Sequence, residues 1–170
     1  MGGTIQVESE KGRGSTFTVR LHFEEIENQA DRAAEPKTDF SVLQGKRVLV
    51  CEDNELNLEI IRSILEQAGM EVTGTENGKL GLDVFEASTP GSFDFVLLDL
   101  RMPIMDGLET ARAIRAMDRV DSRAVPIFAV SADAFAENVE ECLAAGMNGH
   151  IAKPVDAALL LETLVHSLQV

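Results

Sequence analysis

A three-layer α/β domain, in which a parallel sheet is covered by helices on both faces, is the fold this sequence predicts. Three observations carry it. From about Lys46 onward, short apolar runs alternate with segments of helical period, five of each over roughly 125 residues. Strict alternation of this kind implies parallel strands joined by right-handed crossovers. In "FDFVLLDLRMPIMDG", residues 93–107, a buried-type strand runs straight into Asp99, and in such sheets ligands bind beyond the carboxyl ends of the strands.

The elements follow in order. Residues 1–23 alternate apolar and polar, with Ile5 and Val7 on one arm and Phe17, Val19, Leu21 and Phe23 on the other. The Gly-rich "EKGRGS" joins them, which predicts a β-hairpin. Two strands alone are marginal in water. Residues 24–44, polar and acidic, read as a linker. "KRVLV" is the first strand of the larger domain. Leu56, Ile60, Ile61, Ile64, Leu65 and Ala68 then form one helical stripe that Gly69 stops. "MEVTGT" is a strand, a helix runs through Leu82 and Phe85, and "FDFVLL" is the third strand. The next helix opens at Asp106, with Glu109 three residues later in capping-box spacing. "VPIFAVS" is the fourth strand, a helix runs from about Ala134 to Ala145, and "GHIAK" is a short fifth strand. A last helix carries Val155, Leu159, Leu160, Leu164 and Leu168.

At 170 residues, 45% apolar and 26% charged, the chain has an ordinary globular composition. It has no apolar run long enough to span a membrane, and its start lacks the apolar core of a signal peptide. Cys51 and Cys142 lie in apolar stretches and suit a reducing cytoplasm better than a disulfide framework. A net charge of −14 repels phosphates and argues against direct nucleic-acid binding. Much of that charge belongs to a solvated surface. That reading does not cover acids at the ends of apolar strands.

"VLVCED" delivers Glu52 and Asp53 to one strand end, and "FVLLD" delivers Asp99 to another. If those strands are neighbours, three carboxylates converge and repel one another unless a cation is present. An oxygen-only cluster suits Mg²⁺. "FAVSA" brings the Ser131 hydroxyl and "HIAKP" the Lys153 ammonium. Three acids, a divalent ion and a lysine balance in formal charge. Such a site suits a transferred phosphoryl group, with one carboxylate as nucleophile and an acyl phosphate as product.

"CED", "LLDLRMPIMDG", "VSA" and "AKP" together resemble the receiver domain of two-component response regulators over residues 45–170. The resemblance implies a flavodoxin-like doubly wound sheet of order 2-1-3-4-5 with five helices. It implies Asp99 as phosphoacceptor, with Glu52, Asp53, Asp99 and the Arg101 backbone carbonyl holding Mg²⁺. It also implies Ser131 as switch hydroxyl, Lys153 as phosphate-facing lysine, a cis Lys153–Pro154 bond and a phosphohistidine donor. "NELN", with Asn54 as N-cap and Asn57 beyond it, resembles receivers attached to histidine kinases.

Three positions depart from the commonest family choices. His150 stands where many receivers carry Tyr or Phe, so it is a candidate switch residue whose charge varies near neutral pH. Arg101 lies two residues after Asp99 and Asp133 two after Ser131; in receivers these places flank the path of an attacking water, so the resemblance implies a pair that tunes hydrolysis.

"MGGTIQVESEKGRGSTFTVRLHF" resembles the closing strands of a histidine-kinase ATP-binding domain, with "GRG" matching its second glycine box. The rest of that domain's motifs are missing, and His22 and His166 lack the context of a phosphodonor histidine. The resemblance implies the C-terminal part of a hybrid sensor histidine kinase. Its phosphoryl group arrives from the kinase core and leaves for a histidine phosphotransfer domain, in the cytoplasm, whether or not the parent is membrane-anchored. An unpaired hairpin edge offers a homodimer contact. Two other functions compete. A docking module that works without phosphorylation would not need the five site residues. A haloacid-dehalogenase-like phosphatase would carry an acid where Arg101 stands.

Overall fold

Parity along the strands decides how the larger unit is built. The computed structural model describes residues 3–10, 12, 14–21, 38–132 and 136–168. It divides into two units, 1–37 and 38–170.

In the first unit β1 (Gly3–Glu10) and β2 (Gly14–Leu21) pair antiparallel, which bears out the predicted hairpin. Ile5 lies opposite Val19 and Val7 opposite Phe17, so the apolar residues share one face. That face is open, with Ile5 74% and Phe17 70% exposed. His22, Phe23 and linker residues 24–37 lie outside the described residues.

The second unit holds β3 (Arg47–Cys51), β4 (Glu71–Thr75), β5 (Phe95–Asp99), β6 (Ile127–Ser131) and β7 (Gly149–Ala152). All pair parallel in the order β4-β3-β5-β6-β7, the expected 2-1-3-4-5. The crossovers carry α1 (Glu55–Gln67), α2 (Gly78–Ala87), α3 (Gly107–Ala116) and α4 (Ala136–Ala144), and α5 (Ala157–Ser167) closes the unit. Because strand side chains alternate between faces, Val48, Val50, Phe95 and Leu97 enter one core with Ile61 and Leu65 of α1 and Leu160 and Leu164 of α5. Leu49, Cys51, Val96 and Leu98 enter the other, with Phe85 of α2, Ile114 of α3 and Cys142 of α4. Each such side chain contributes about 1.5–3 kcal/mol on burial. An exposed pair such as Lys79–Asp83 contributes about 0–1 kcal/mol. The sheet sandwich, not surface ion pairing, holds the fold.

Local chemistry sets the helix starts. Asn54, Asn77, Asp106 and Asp156 each cap a helix through a side-chain oxygen, and Asp106 with Glu109 forms the full capping box. Arg119 sits over the Phe85 ring at 4.5 Å and donates to the carbonyls of Phe85 and Ser88, satisfying the end of α2.

The structure departs from the expected elements at three places. The end of the expected linker belongs to the larger unit: Phe40–Leu43 forms a 3-10 turn and Leu43 is fully buried beside α5 and β3. On α1, Leu56 is 69% exposed and Ile60 is exposed too, whereas Leu58, Ile61, Ile64 and Leu65 face the core. The inward stripe is rotated from the one expected. On α5, Leu159 and Leu168 are likewise exposed.

Candidate functional site

Register brings the acids together. Cys51 pairs with Leu98, so the residues that follow, Glu52 and Asp99, leave adjacent strands side by side. Asp99 pairs with Val130, and Ser131 with Ala152, which carries Ser131 and Lys153 to the same edge. Strand order reverses here, with β4 on one side of β3 and β5 on the other.

Glu52, Asp53 and Asp99 offer carboxylate oxygens all within 4.8 Å of one another. Glu52 is 2% and Asp99 7% exposed, while Asp53 is exposed. Lys153 Nζ lies 2.7 Å from Asp99 Oδ2 and 2.7 Å from Glu52 Oε2. Burial works against the Lys153 charge, but the hydrogen bond to Asp99 and the adjacent Glu52 carboxylate outweigh it and raise its pKa. The Arg101 backbone N–H donates to Asp99 Oδ1 at 3.0 Å. Three carboxylates held this close, with one ammonium among them, leave an excess of negative charge that a small hard cation fits.

Ser131 is buried, and its Oγ lies 3.2 Å from His150 Nε2. Burial lowers the His150 pKa. The Lys153 backbone N–H donates to the Ser131 carbonyl at 2.8 Å, which ties the two strand ends together, and Lys153–Pro154 is cis.

Past Asp99 the loop is tight. The Met105 N–H bonds the Pro103 carbonyl at 2.8 Å across Ile104, which has φ +73° and is 81% exposed. This is a γ-turn with a β-branched residue in the left-handed region. The chain then turns into α3 at Gly107. A Cβ there would collide with the Asp99 carbonyl oxygen and come within 3.0 Å of its carbon.

The sequence-derived set Glu52, Asp53, Asp99 and Lys153 is thus gathered at one place, with Ser131 on the neighbouring strand end and His150 against it. Arg101 is exposed, and Asp133 lies outside the described residues. Sequence reasoning missed two contributors. Asn57 Nδ2 donates to Glu52 Oε1 at 2.9 Å. Gly107 gives the Asp99 backbone its clearance, and the "MDG" turn is the signal that marks it.

Comparison with known proteins agrees with this geometry. The family model described as "Response regulator receiver domain" matches residues 48–165. The aerobic respiration control sensor protein ArcB of Escherichia coli K12 is 37% identical over 161 residues, covering 94% of this chain and 20% of that protein. The autoinducer 2 sensor kinase/phosphatase LuxQ of Vibrio vulnificus YJ016 is 33% identical over 165 residues, 96% of this chain and 19% of its own. The chain therefore spans about a fifth of the length of these curated relatives. Among solved structures, the receiver domain of sensor histidine kinase PA1611 from Pseudomonas aeruginosa PAO1 is 35% identical with a TM-score of 0.66. It covers 74% of this chain and 99% of its own, and holds a magnesium ion in its active-site cleft. On the strength of these matches and of the acid cluster at the sheet's carboxyl edge, the chain belongs to the response regulator receiver domain family and is homologous to the receivers of hybrid histidine kinases.

Proposed function

We propose that this chain accepts a phosphoryl group on Asp99 from a phosphohistidine donor and passes it on in a phosphorelay. A carboxylate oxygen of Asp99 attacks phosphorus, a P–O bond forms, and the P–N bond to the donor imidazole breaks. The observation that carries this reading is the Lys153 ammonium 2.7 Å from both Asp99 and Glu52. It sits where charge on a transferred group must be neutralised. Magnesium, held by Glu52, Asp53, Asp99 and the Arg101 carbonyl, supplies positive charge to the phosphoryl oxygens when bound. Ser131 donates its hydroxyl to the phosphoryl group, and His150 responds to that movement. Arg101 and Asp133 together slow the approach of hydrolytic water; a double-mutant cycle on phosphoryl lifetime that finds no coupling removes this last assignment.

The partners are a histidine-kinase core as donor and a histidine phosphotransfer domain as acceptor, on the cytoplasmic side. Support comes from the hybrid kinases to which the chain is homologous, and from the hairpin, which resembles the closing strands of a kinase ATP-binding domain. Leu56 and Ile104, exposed three residues after Asp53 and five after Asp99, offer such a partner an apolar rim beside the reacting group. A hairpin edge, which pairs with no third strand among the described residues, offers a homodimer contact. The net charge of −14 argues against a nucleic-acid partner. Among the described residues no helix is long and apolar enough to cross a membrane.

Incubation with acetyl phosphate and Mg²⁺, read by intact mass, tests the proposal. A single phosphoryl adduct that Asp99→Asn abolishes is expected. No adduct on the folded wild-type chain overturns it and leaves a docking module that works without phosphorylation.

A further inference from the structure

Asn57 has no part in the phosphotransfer scheme, yet its side chain reaches the acid cluster. Asn54 caps α1 by accepting the Asn57 backbone N–H at 3.0 Å, and its carbonyl accepts from Leu58 at 2.9 Å. The cap fixes Asn57 at the third helical position. From there its amide donates to Glu52 Oε1 at 2.9 Å. The direction of that bond is set by chemistry, since a carboxylate accepts and only the NH₂ end of the amide donates. Glu52 is 2% exposed, so water competes poorly for that oxygen. With Oε1 engaged, Oε2 is turned toward the cluster. It meets Lys153 as an ion pair at 2.7 Å but has no aligned hydrogen bond of its own. One oxygen is held and the other is presented.

We propose that Asn57 is a positioning residue for the cation site: it orients the Glu52 carboxylate and thereby sets the affinity of the acid cluster for a divalent ion. The inference rests on Glu52 being a ligand, as the proposed function has it. The "EDNELN" stretch is then a relay within one turn of chain, in which Asn54 places Asn57 and Asn57 places Glu52. A carboxylate left without its outer partner keeps its charge but loses its fixed aim, and outer partners of ligands typically contribute roughly 10–100-fold in metal affinity. A residue serving only the start of the helix would change stability and leave affinity alone.

Calorimetric titration of the 170-residue chain with MgCl₂ separates the two. Asn57→Leu removes the donor at similar volume with no change in net charge, so a loss cannot come from long-range electrostatics. The expected result is magnesium affinity weakened about tenfold or more, with partial recovery in Asn57→Gln, which retains an amide. Should the Leu variant fail to fold by circular dichroism, Asn57→Ala takes its place with the same expectation. A folded Leu or Ala variant that binds magnesium within about twofold of wild type overturns the assignment of Asn57 alone. A wild-type chain that binds no magnesium overturns the cation site with it.

Discussion

Ser131 Oγ and His150 Nε2 lie 3.2 Å apart on neighbouring strands, so the hydroxyl proposed to meet a phosphoryl group already has a partner. Burial lowers the His150 pKa and favours the neutral ring. An unfolded histidine titrates near 6.5, so below that pH the unfolded chain binds the extra proton more readily than the folded one. Stability from this residue is therefore present above about 6.5 and is lost progressively as pH falls below that through the lower folded value. Wild type should lose melting temperature between pH 7.5 and 5.5 by more than His150→Phe does. Parallel curves for the two proteins would show that the ring is indifferent to its surroundings.

Lys153 holds two carboxylates at 2.7 Å each, and its removal leaves them facing one another. Lys153→Met should cost about 2 kcal/mol in the absence of metal, less than a fully buried pair because the ammonium is partly exposed. Saturating Mg²⁺ should return most of that loss, since the cation takes over the neutralisation. The raised pKa of Lys153 places the pH limit of its contribution on the alkaline side: present below about 10.4 and lost above as the ammonium deprotonates. Urea unfolding with and without MgCl₂ measures the difference.

At Gly107 a single methyl group is decisive. Its Cβ would strike the Asp99 carbonyl oxygen, and strand and helix must separate to admit it. Gly107→Ala should destabilise by about 1–3 kcal/mol, the usual range for overpacking. It should also slow labelling by acetyl phosphate, because Asp99 moves with its backbone. A variant of normal stability and labelling rate would contradict the close approach.

Ile104 makes the opposite case. Its φ of +73° is costly for a β-branched residue, by about 1–3 kcal/mol, and its side chain covers little of the core. Ile104→Gly should raise stability by about 1 kcal/mol after the entropy cost of glycine. Labelling by acetyl phosphate should be unchanged, and transfer from a histidine phosphotransfer domain should slow as the apolar rim shrinks. Lower stability in the glycine variant would mean the turn is not strained.

Much of this is legible in the sequence. Buried strands announce themselves as apolar runs, and the Asp106–Glu109 box is a four-residue pattern whose bonds close within the pattern. The acids at the strand ends were visible for the same local reason. The inward face of α1 was not. Leu56, Ile60, Ile61 and Ile64 fit a helical period as well as Leu58, Ile61, Ile64 and Leu65 do, and only the sheet beneath decides which arc is covered. Leu43 sits in a polar stretch and gains its place from α5, more than a hundred residues away in the chain. Asn57 reaches Glu52 through a side-chain rotamer, which leaves no local pattern. Gly107 acts through the Asp99 backbone, which it does not neighbour in sequence, and only the "MDG" turn marks it.

The pairing of Cys51 with Leu98 carries one last consequence. Side chains on a strand change face with every residue, so a slip of one position would send Glu52 and Asp99 to opposite sides of the sheet and scatter the acids. The divalent-ion affinity proposed above would therefore proofread strand alignment: misaligned chains would gain nothing from the salt in the buffer, and correctly aligned ones would be drawn down by mass action. Refolding yield that climbs with magnesium, and does so only while Glu52 and Asp99 both remain, would be its signature.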